Sequence, residues 1–244
     1  MNRYIPFRLP GFINLKKNIL NMATNRIKRT SHKKNEDQVF PKDLVFASTH
    51  NVSLVENRHQ QIVDGACRVF FKKGYHPTTT REIAAACGMS IGQLYHYISC
   101  KEDVLYLVLK HMQHVWYTYL KKANIEHTDD PVQRLRKALY HSLEFMIENK
   151  KLVQFMYTES KYLDKKYYNI FIELHHTNVV GFWRKLLDDL NKKVPIRGEL
   201  EFMSSLTAYV LAFLALSGWI LDEKENEKHA DAIVDFILRG LGAV

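Results

Sequence analysis

Residues 79–101, TTREIAAACGMSIGQLYHYISCK, carry two helix starts and one forced turn, and this punctuation leaves little choice of local fold. Thr79 can cap a helix N-terminus while Glu82, three residues on, reaches back to the cap's own N–H. Ile83, Ala84, Ala86 and Cys87 then give a small apolar inner face, and Gly88 supplies a left-handed C-terminal residue that ordinary side chains resist. Ser90 caps a second helix, in which Leu94 and Ile98 fall on one face and Gln93, His96 and Tyr97 on the other. Two helices joined by a short turn containing Gly form a helix-turn-helix unit. Its second helix shows Tyr95, His96 and Tyr97 where an ordinary amphipathic helix shows Glu and Lys, as a helix made to enter a DNA groove would.

The preceding segment, residues 56–74, places Ile62, Val63, Ala66, Val69 and Phe70 at helical spacing and ends in Gly, so a supporting first helix is expected. Pro77 keeps the linker that follows out of helix. With these features in place, FFKKGYHPTTTREIAAACGMSIGQLYHYISCKEDVL resembles the DNA-binding domain of the tetracycline-repressor (TetR) family of bacterial regulators. The resemblance covers residues 57–109. It implies a three-helix DNA-binding domain, a linking fourth helix, a larger helical ligand domain, and a homodimer that releases its double-stranded DNA operator when a small molecule binds. Carried over by position, it implies Arg81 at a base edge or phosphate, and Ser90, Gly92, Gln93, Tyr95, His96 and Tyr97 on the groove-facing surface. Lys101 would hold a phosphate. Ile98 and Cys100 depart from the family pattern, which has an aromatic core residue and a small polar one there.

The side chains suit these roles. The Gln93 amide can pair in bidentate fashion with adenine, and the Arg81 fork fits guanine or phosphate. The Tyr95 and Tyr97 hydroxyls and Lys101 are phosphate partners, which position a domain without reading sequence. Part of Tyr95 is expected to pack in the core, beside Leu94 and along one edge with Ile91 and Ile98.

Charge divides unevenly along the 244 residues: residues 1–50 hold ten Lys or Arg against three Asp or Glu, residues 51–102 six against four, and the remainder nineteen of each. Electrostatic attraction to nucleic acid therefore resides in the first hundred residues. Residues 1–50 read as a basic extension, in which residues 25–34 (NRIKRTSHKK) are either an arm lying on phosphates or in a minor groove, or a disordered, solvated tail. Residues 1–21 have the make-up of neither a membrane span nor a signal peptide, and Met22 is an alternative start of translation. The cysteines, Cys67, Cys87 and Cys100, lack metal-ligand spacing and point to a reducing, cytoplasmic setting rather than a disulfide scaffold.

From residue 103 on, the pattern stays helical, giving an all-α chain with expected domains at 1–50, 51–102 and 103–244. Helices are expected over 102–123, 131–150 (opened by Pro131), 152–160, 163–191, 199–221 and 225–241. The 199–221 segment, through Gly218, Trp219 and Ile220, is apolar nearly all round. With the striped final helix it would build a four-helix bundle between two chains, in which Ala208, Ala212 and Ala215 allow close approach.

Trp116, Tyr119, Phe145, Met146, Phe155, Tyr157, Phe171 and Phe182 could line a cavity with His175 or Asn178 as polar anchors, and such a cavity would take a large apolar or aromatic effector. A fatty acyl-CoA is one candidate, its phosphates meeting Lys161, Lys165, Lys166 or Arg184. The alternative for all these aromatics is plain core. The histidine pairs 111/114 and 175/176 lack completing ligands, so no metal or other cofactor is expected. No Gly-x-Ser-x-Gly elbow, His-Glu-x-x-His or Walker motif occurs, and no enzyme activity is expected. The remaining alternative to a ligand-released repressor is a non-specific architectural DNA-binding protein.

Overall fold

The caps legible in the sequence set the helix ends on both sides of the turn at Gly88. The structure, a computed structural model, describes residues 45, 47–48, 51–217 and 225–244, and contains no strand among them. Helix α1 (Val52–Lys73) starts earlier than its apolar stripe suggests, because Asn51 Oδ1 accepts the Leu54 N–H at 3.1 Å. Helix α2 (Thr80–Cys87) carries the expected reciprocal cap: the Glu82 N–H donates to Thr79 Oγ1, and the Thr79 N–H to Glu82 Oε2 at 2.8 Å. Gly88, at φ 67°, ends it in the left-handed region. Helix α3 (Ile91–Tyr95) repeats the device with Ser90 and Gln93. Each cap of this kind contributes about 1 kcal/mol.

The chain continues through α4 (Lys101–Lys122), α5 (Pro131–Glu148, capped by Asp130), α6 (Lys150–Glu159) and α7 (Lys165–His175, capped by Asp164). Next come α8 (Gly181–Asn191), α9 (Leu200–Leu211), α10 (Phe213–Leu216) and α11 (Asn226–Leu241).

One core holds Ile62, Phe70, Ile83 and Leu94 from α1 to α3 and Ile98 just after them, together with Val104 to Leu109 of α4, and takes in Phe155 and Phe171 from α6 and α7. The ring of Phe70 stacks on Phe155 at 5.4 Å. A second core gathers Trp116, Leu139, Leu143, Trp183, Leu187, Leu211, Val234 and Leu238. α1 crosses α2 at Gly65, where an added Cβ would lie 2.9 Å from the Cys87 amide nitrogen. Only a missing side chain permits that approach.

Two expected helices are interrupted. Between α7 and α8 the backbone makes a π turn over His176–Val180, so residues 165–191 are not one regular helix. The apolar 199–221 segment breaks at Ala212, whose N–H bonds back three residues to the Tyr209 carbonyl. The break comes from packing: Ala212 and Ala215 are fully buried against Val153, and Gln154 Nε2 donates to the Ala215 carbonyl at 2.9 Å. These alanines, with buried Ala208, are therefore used within the chain and not at its outer face. Gly218, Trp219, Ile220 and the basic 25–34 stretch lie outside the described residues.

Candidate nucleic-acid interface and ligand interior

α1 holds the helix-turn-helix from behind. Gln61 Nε2 donates to the Cys87 carbonyl at 2.7 Å, Arg68 to the Ala86 carbonyl, and His59 Nε2 reaches the Tyr97 carbonyl at 3.0 Å. Lys73 pairs with Glu82 at 2.6 Å, and this ammonium group together with the Thr79 donors holds the Glu82 carboxyl down to about 2. The turn is thus pinned at both ends before any partner is met.

On the outer surface stand Arg81, Ser90, Gly92, Gln93, Tyr95 and His96, all exposed. Gln93 Oε1 accepts the Ser90 N–H at 2.8 Å, which fixes the amide plane and leaves its NH2 as a donor facing outward. Tyr95 is 44% exposed, with its hydroxyl 3.5 Å from Thr80 Oγ1. Thr80 and the exposed Ile91 share this surface and have no strong signal in the sequence.

Two placements differ from the sequence reading. Tyr97, not Tyr95, is the ring of the Tyr-His-Tyr run that packs on the core. The reason is that α3 closes at Tyr95: the tight bond from Tyr97 N–H to the Leu94 carbonyl, 2.9 Å, shifts the next side chain off helical phase. Lys101 is engaged away from the outer face, its Nζ donating to the His76 carbonyl at 3.0 Å and lying 4.1 Å from the centre of the Tyr75 ring. Burial pushes its pKa down.

The same Tyr75 connects to the end of α6 and the turn that follows it. Its N–H donates to Glu159 Oε2 at 3.2 Å, and its ring stacks on Tyr162 at 5.8 Å. The linker between α1 and α2 is therefore gripped by the end of α6.

The residues proposed for the ligand interior separate into groups. Trp116 meets Phe182 edge-on at 5.4 Å. Tyr119 packs on Phe145 at 5.4 Å and donates to Glu144 Oε2 at 2.6 Å; burial, reinforced by this bond, pushes its phenol pKa up. Met146 packs between the second core and the Val153 cluster. Phe171, His175, Tyr209 and Tyr157 form a chain of rings at 6.2–6.5 Å. Phe155 stands apart from these, wedged against α1 as described. Asn178 is buried on the π turn.

Several buried polar atoms here lack a hydrogen-bond partner among the described residues: the Gln113 amide, Trp116 Nε1, Asn178 Nδ2, Ser142 Oγ and the Tyr106 hydroxyl. Gln113, Tyr106 and Ser142 were not singled out from sequence. An apolar helical stripe conceals a polar residue inside it.

The cationic side chains proposed for phosphates stay on the exterior, where Arg184 pairs with Glu201 at 3.3 Å and Lys161 and Lys166 lie over Tyr162 and Tyr167. Burial raises the thiol of Cys67 to about 12 and those of Cys87 and Cys100 to about 11, so all three are neutral and poor nucleophiles. Among the described residues no helix is long and apolar enough to cross a membrane.

Comparison with known proteins agrees with this geometry. The sequence profile described as "Bacterial regulatory proteins, tetR family" matches residues 62–106, from α1 to the first turns of α4. The chain is 36% identical over 87 residues to the HTH-type transcriptional regulator HbdR of Aromatoleum, a stretch of 36% of this chain and 38% of that relative. It thus spans well under half of that regulator's length. Its fold is similar to that of the TetR family transcriptional regulator PfmR from Thermus thermophilus, with a TM-score of 0.60, 24% identity, and 74% of this chain and 98% of that one covered. It is also similar to that of the regulator FadR from Bacillus subtilis in complex with stearoyl-CoA, with a TM-score of 0.64, 15% identity, and 75% and 99% coverage.

Proposed function

We propose that the chain, whose residues 62–106 match the tetR family of bacterial regulatory proteins, is a repressor of that family that binds a palindromic operator as a homodimer and leaves it when a small, largely apolar molecule enters the ligand domain. The observation that carries the reading is the continuity between the two ends of this mechanism. Phe70 and Tyr75, which precede the helix-turn-helix, contact Phe155 and Glu159 of α6 and Tyr162 in the turn after it. A shift of α6 or α7 on ligand binding would move the supports of α2 and α3, and so change which separation of two recognition helices is favoured.

Gln93 is assigned to base-edge readout and Arg81 to a base or phosphate. Tyr95, with Ser90, Gly92 and His96, completes the groove surface. Tyr97 and Lys101 position that surface from below, through the core and through Tyr75. Dimerisation is assigned to the outer face of the last helices, where Phe202, Leu206, Tyr209 and Phe213 repeat at helical spacing and stay exposed, beside Phe236 at 65% exposure. A second copy seated there would set two recognition helices about 34 Å apart, one turn of DNA. The proposed domains are the helix-turn-helix segment 51–102 and the ligand and dimerisation segment 103–244.

FadR's bound stearoyl-CoA makes a fatty acyl-CoA the first effector to test. Selection of bound sequences from random duplex DNA, repeated with acyl-CoAs and other apolar metabolites, tests the reading. A palindrome lost on adding one compound supports it. Steep salt dependence with no enriched sequence would instead favour architectural binding.

A further inference from the structure

Tyr106, Gln113 and Trp116 lie on one side of α4, since steps of seven and three residues at 100° per residue keep all three within about a quarter turn. That side faces α7, the π turn and α8: Tyr106 stacks on Tyr167 at 4.7 Å, and Trp116 meets Phe182. Gln113 falls between them, and Asn178 faces the same region from the π turn, which packs on α4. Five of the eight buried side-chain polar atoms without a partner among the described residues belong to this one column: Tyr106 Oη, both amide atoms of Gln113, Trp116 Nε1 and Asn178 Nδ2. All four side chains are at most 5% exposed.

Elsewhere in this domain the buried hydroxyls of Ser204 and Thr207 are satisfied by carbonyls four residues back in their own helix, while Ser142 Oγ stands alone among the described residues without such a bond. A row of unpaired polar atoms weakens a fold and calls for a functional explanation. Its chemistry is uncharged and rich in donors: a phenol, an indole N–H and two carboxamides, with one amide oxygen as acceptor. Asp103, one turn before Tyr106, already accepts from Tyr167, Ser99 and Cys100. From Tyr106 to Trp116 the row runs about 15 Å along the helix axis.

We propose that the interior between α4 and the α7–π turn–α8 column opens to take an elongated, uncharged molecule that carries hydroxyl or carbonyl oxygens along an apolar skeleton. A bare hydrocarbon chain would leave these donors unpaired. This rests on the reading that the ligand domain holds the effector, and it sharpens what that effector is.

The test uses the full chain, a panel of C12 to C16 diols and keto-alcohols, and dodecanoyl-CoA as the probe whose acyl chain carries no oxygen beyond its thioester carbonyl. The Gln113→Leu/Asn178→Leu double variant removes two polar groups at nearly constant volume, and Trp116→Phe removes one N–H while keeping a ring. In the wild type at least one oxygenated probe should raise the melting temperature more than dodecanoyl-CoA does. Its affinity should fall tenfold or more in the double variant and in Trp116→Phe, while the double variant alone melts no lower than the wild type. If the double variant does not fold, Trp116→Phe provides the same affinity comparison. No shift from any oxygenated probe, or unchanged affinity in the variants, overturns the inference, as does a double variant that folds but melts lower, for its amides then have structural partners. The two readings separate at the operator. A probe that binds through Gln113 yet leaves operator binding intact sinks the inducible repressor and keeps the site. Release by dodecanoyl-CoA that is equal in wild type and variants keeps the repressor and sinks the site's chemistry.

Discussion

The Tyr167 hydroxyl donates to Asp103 Oδ1 at 2.5 Å, while Asp103 Oδ2 accepts the Ser99 N–H at 2.6 Å. A carboxylate only 2% exposed thus caps α4 with one oxygen and ties α7 to the recognition segment with the other. Tyr167→Phe removes the tie and keeps the ring stacked on Tyr106. Leaving that carboxylate oxygen with one partner fewer should cost about 1–3 kcal/mol, read as a lower urea midpoint at an unchanged slope. Operator affinity without effector should survive, whereas the effector concentration needed for release should change. An unaltered effector response would separate this contact from signalling.

Gln93 caps α3 and is proposed to read a base edge, and a substitution can divide the two roles. Gln93→Glu keeps an acceptor for the Ser90 N–H, so the reciprocal cap and the fold should persist. It removes the outward NH2 donor and adds a negative charge next to DNA. Specific affinity should fall by at least tenfold, in line with about 1–3 kcal/mol for a bidentate base contact. Tyr97→Ala should behave differently, because its ring packs on the core: melting temperature falls first, and operator affinity follows it. Equal loss of stability in both variants would undo the assignment of Gln93 to the groove.

What the sequence disclosed about this region was local. Thr79 with Glu82, Ser90 with Gln93, and Gly88 act within four residues of themselves, so their spacing alone determines α2, the turn and α3. Tyr97 was misplaced because the reading extended helical phase past Tyr95, and where a five-residue helix stops depends on what lies beneath it. The break at Ala212 and the inward use of Ala208, Ala212 and Ala215 have the same origin. An apolar segment with no polar face carries no record of which side meets Val153 and Gln154 and which meets another molecule. Gln113 was invisible for the opposite reason, since one polar residue in a helix is ordinarily assumed to face water.

Burial, with the neighbouring His176, lowers the pKa of His175 from 6.5 to about 4. An unfolded chain therefore binds more protons than the folded one between those values, and stability rises with pH across that window. The contribution is complete above about pH 6.5 and is lost as the pH falls toward 4. It amounts to on the order of 2 kcal/mol after allowing for partial exposure. His111 and His114 are shifted in the same direction by burial and add to the slope. Urea unfolding at steps from pH 7 to 4 should show a falling midpoint for the wild type and a flatter line for His175→Leu. Identical slopes would mean that His175 titrates as it does in water.

On the outer face, Phe202, Tyr209 and Phe213 are 61%, 56% and 47% exposed along one side of α9 and α10, and Phe236 is exposed on α11, which packs against α9. A contiguous row of large rings in water is what an interface between chains looks like before its partner is seated. Burying each ring contributes about 1.5–3 kcal/mol, and a charge placed at the centre of such a face would be trapped without a counter-ion. Tyr209→Glu should therefore shift the protein from dimer to monomer in sedimentation velocity while leaving its helical circular dichroism in place. The monomer can engage only one half-site, so affinity for a full palindrome should drop to the level of a half-site. A variant that sediments as a dimer and binds the palindrome normally would show that this row is covered by something other than a second copy of the chain.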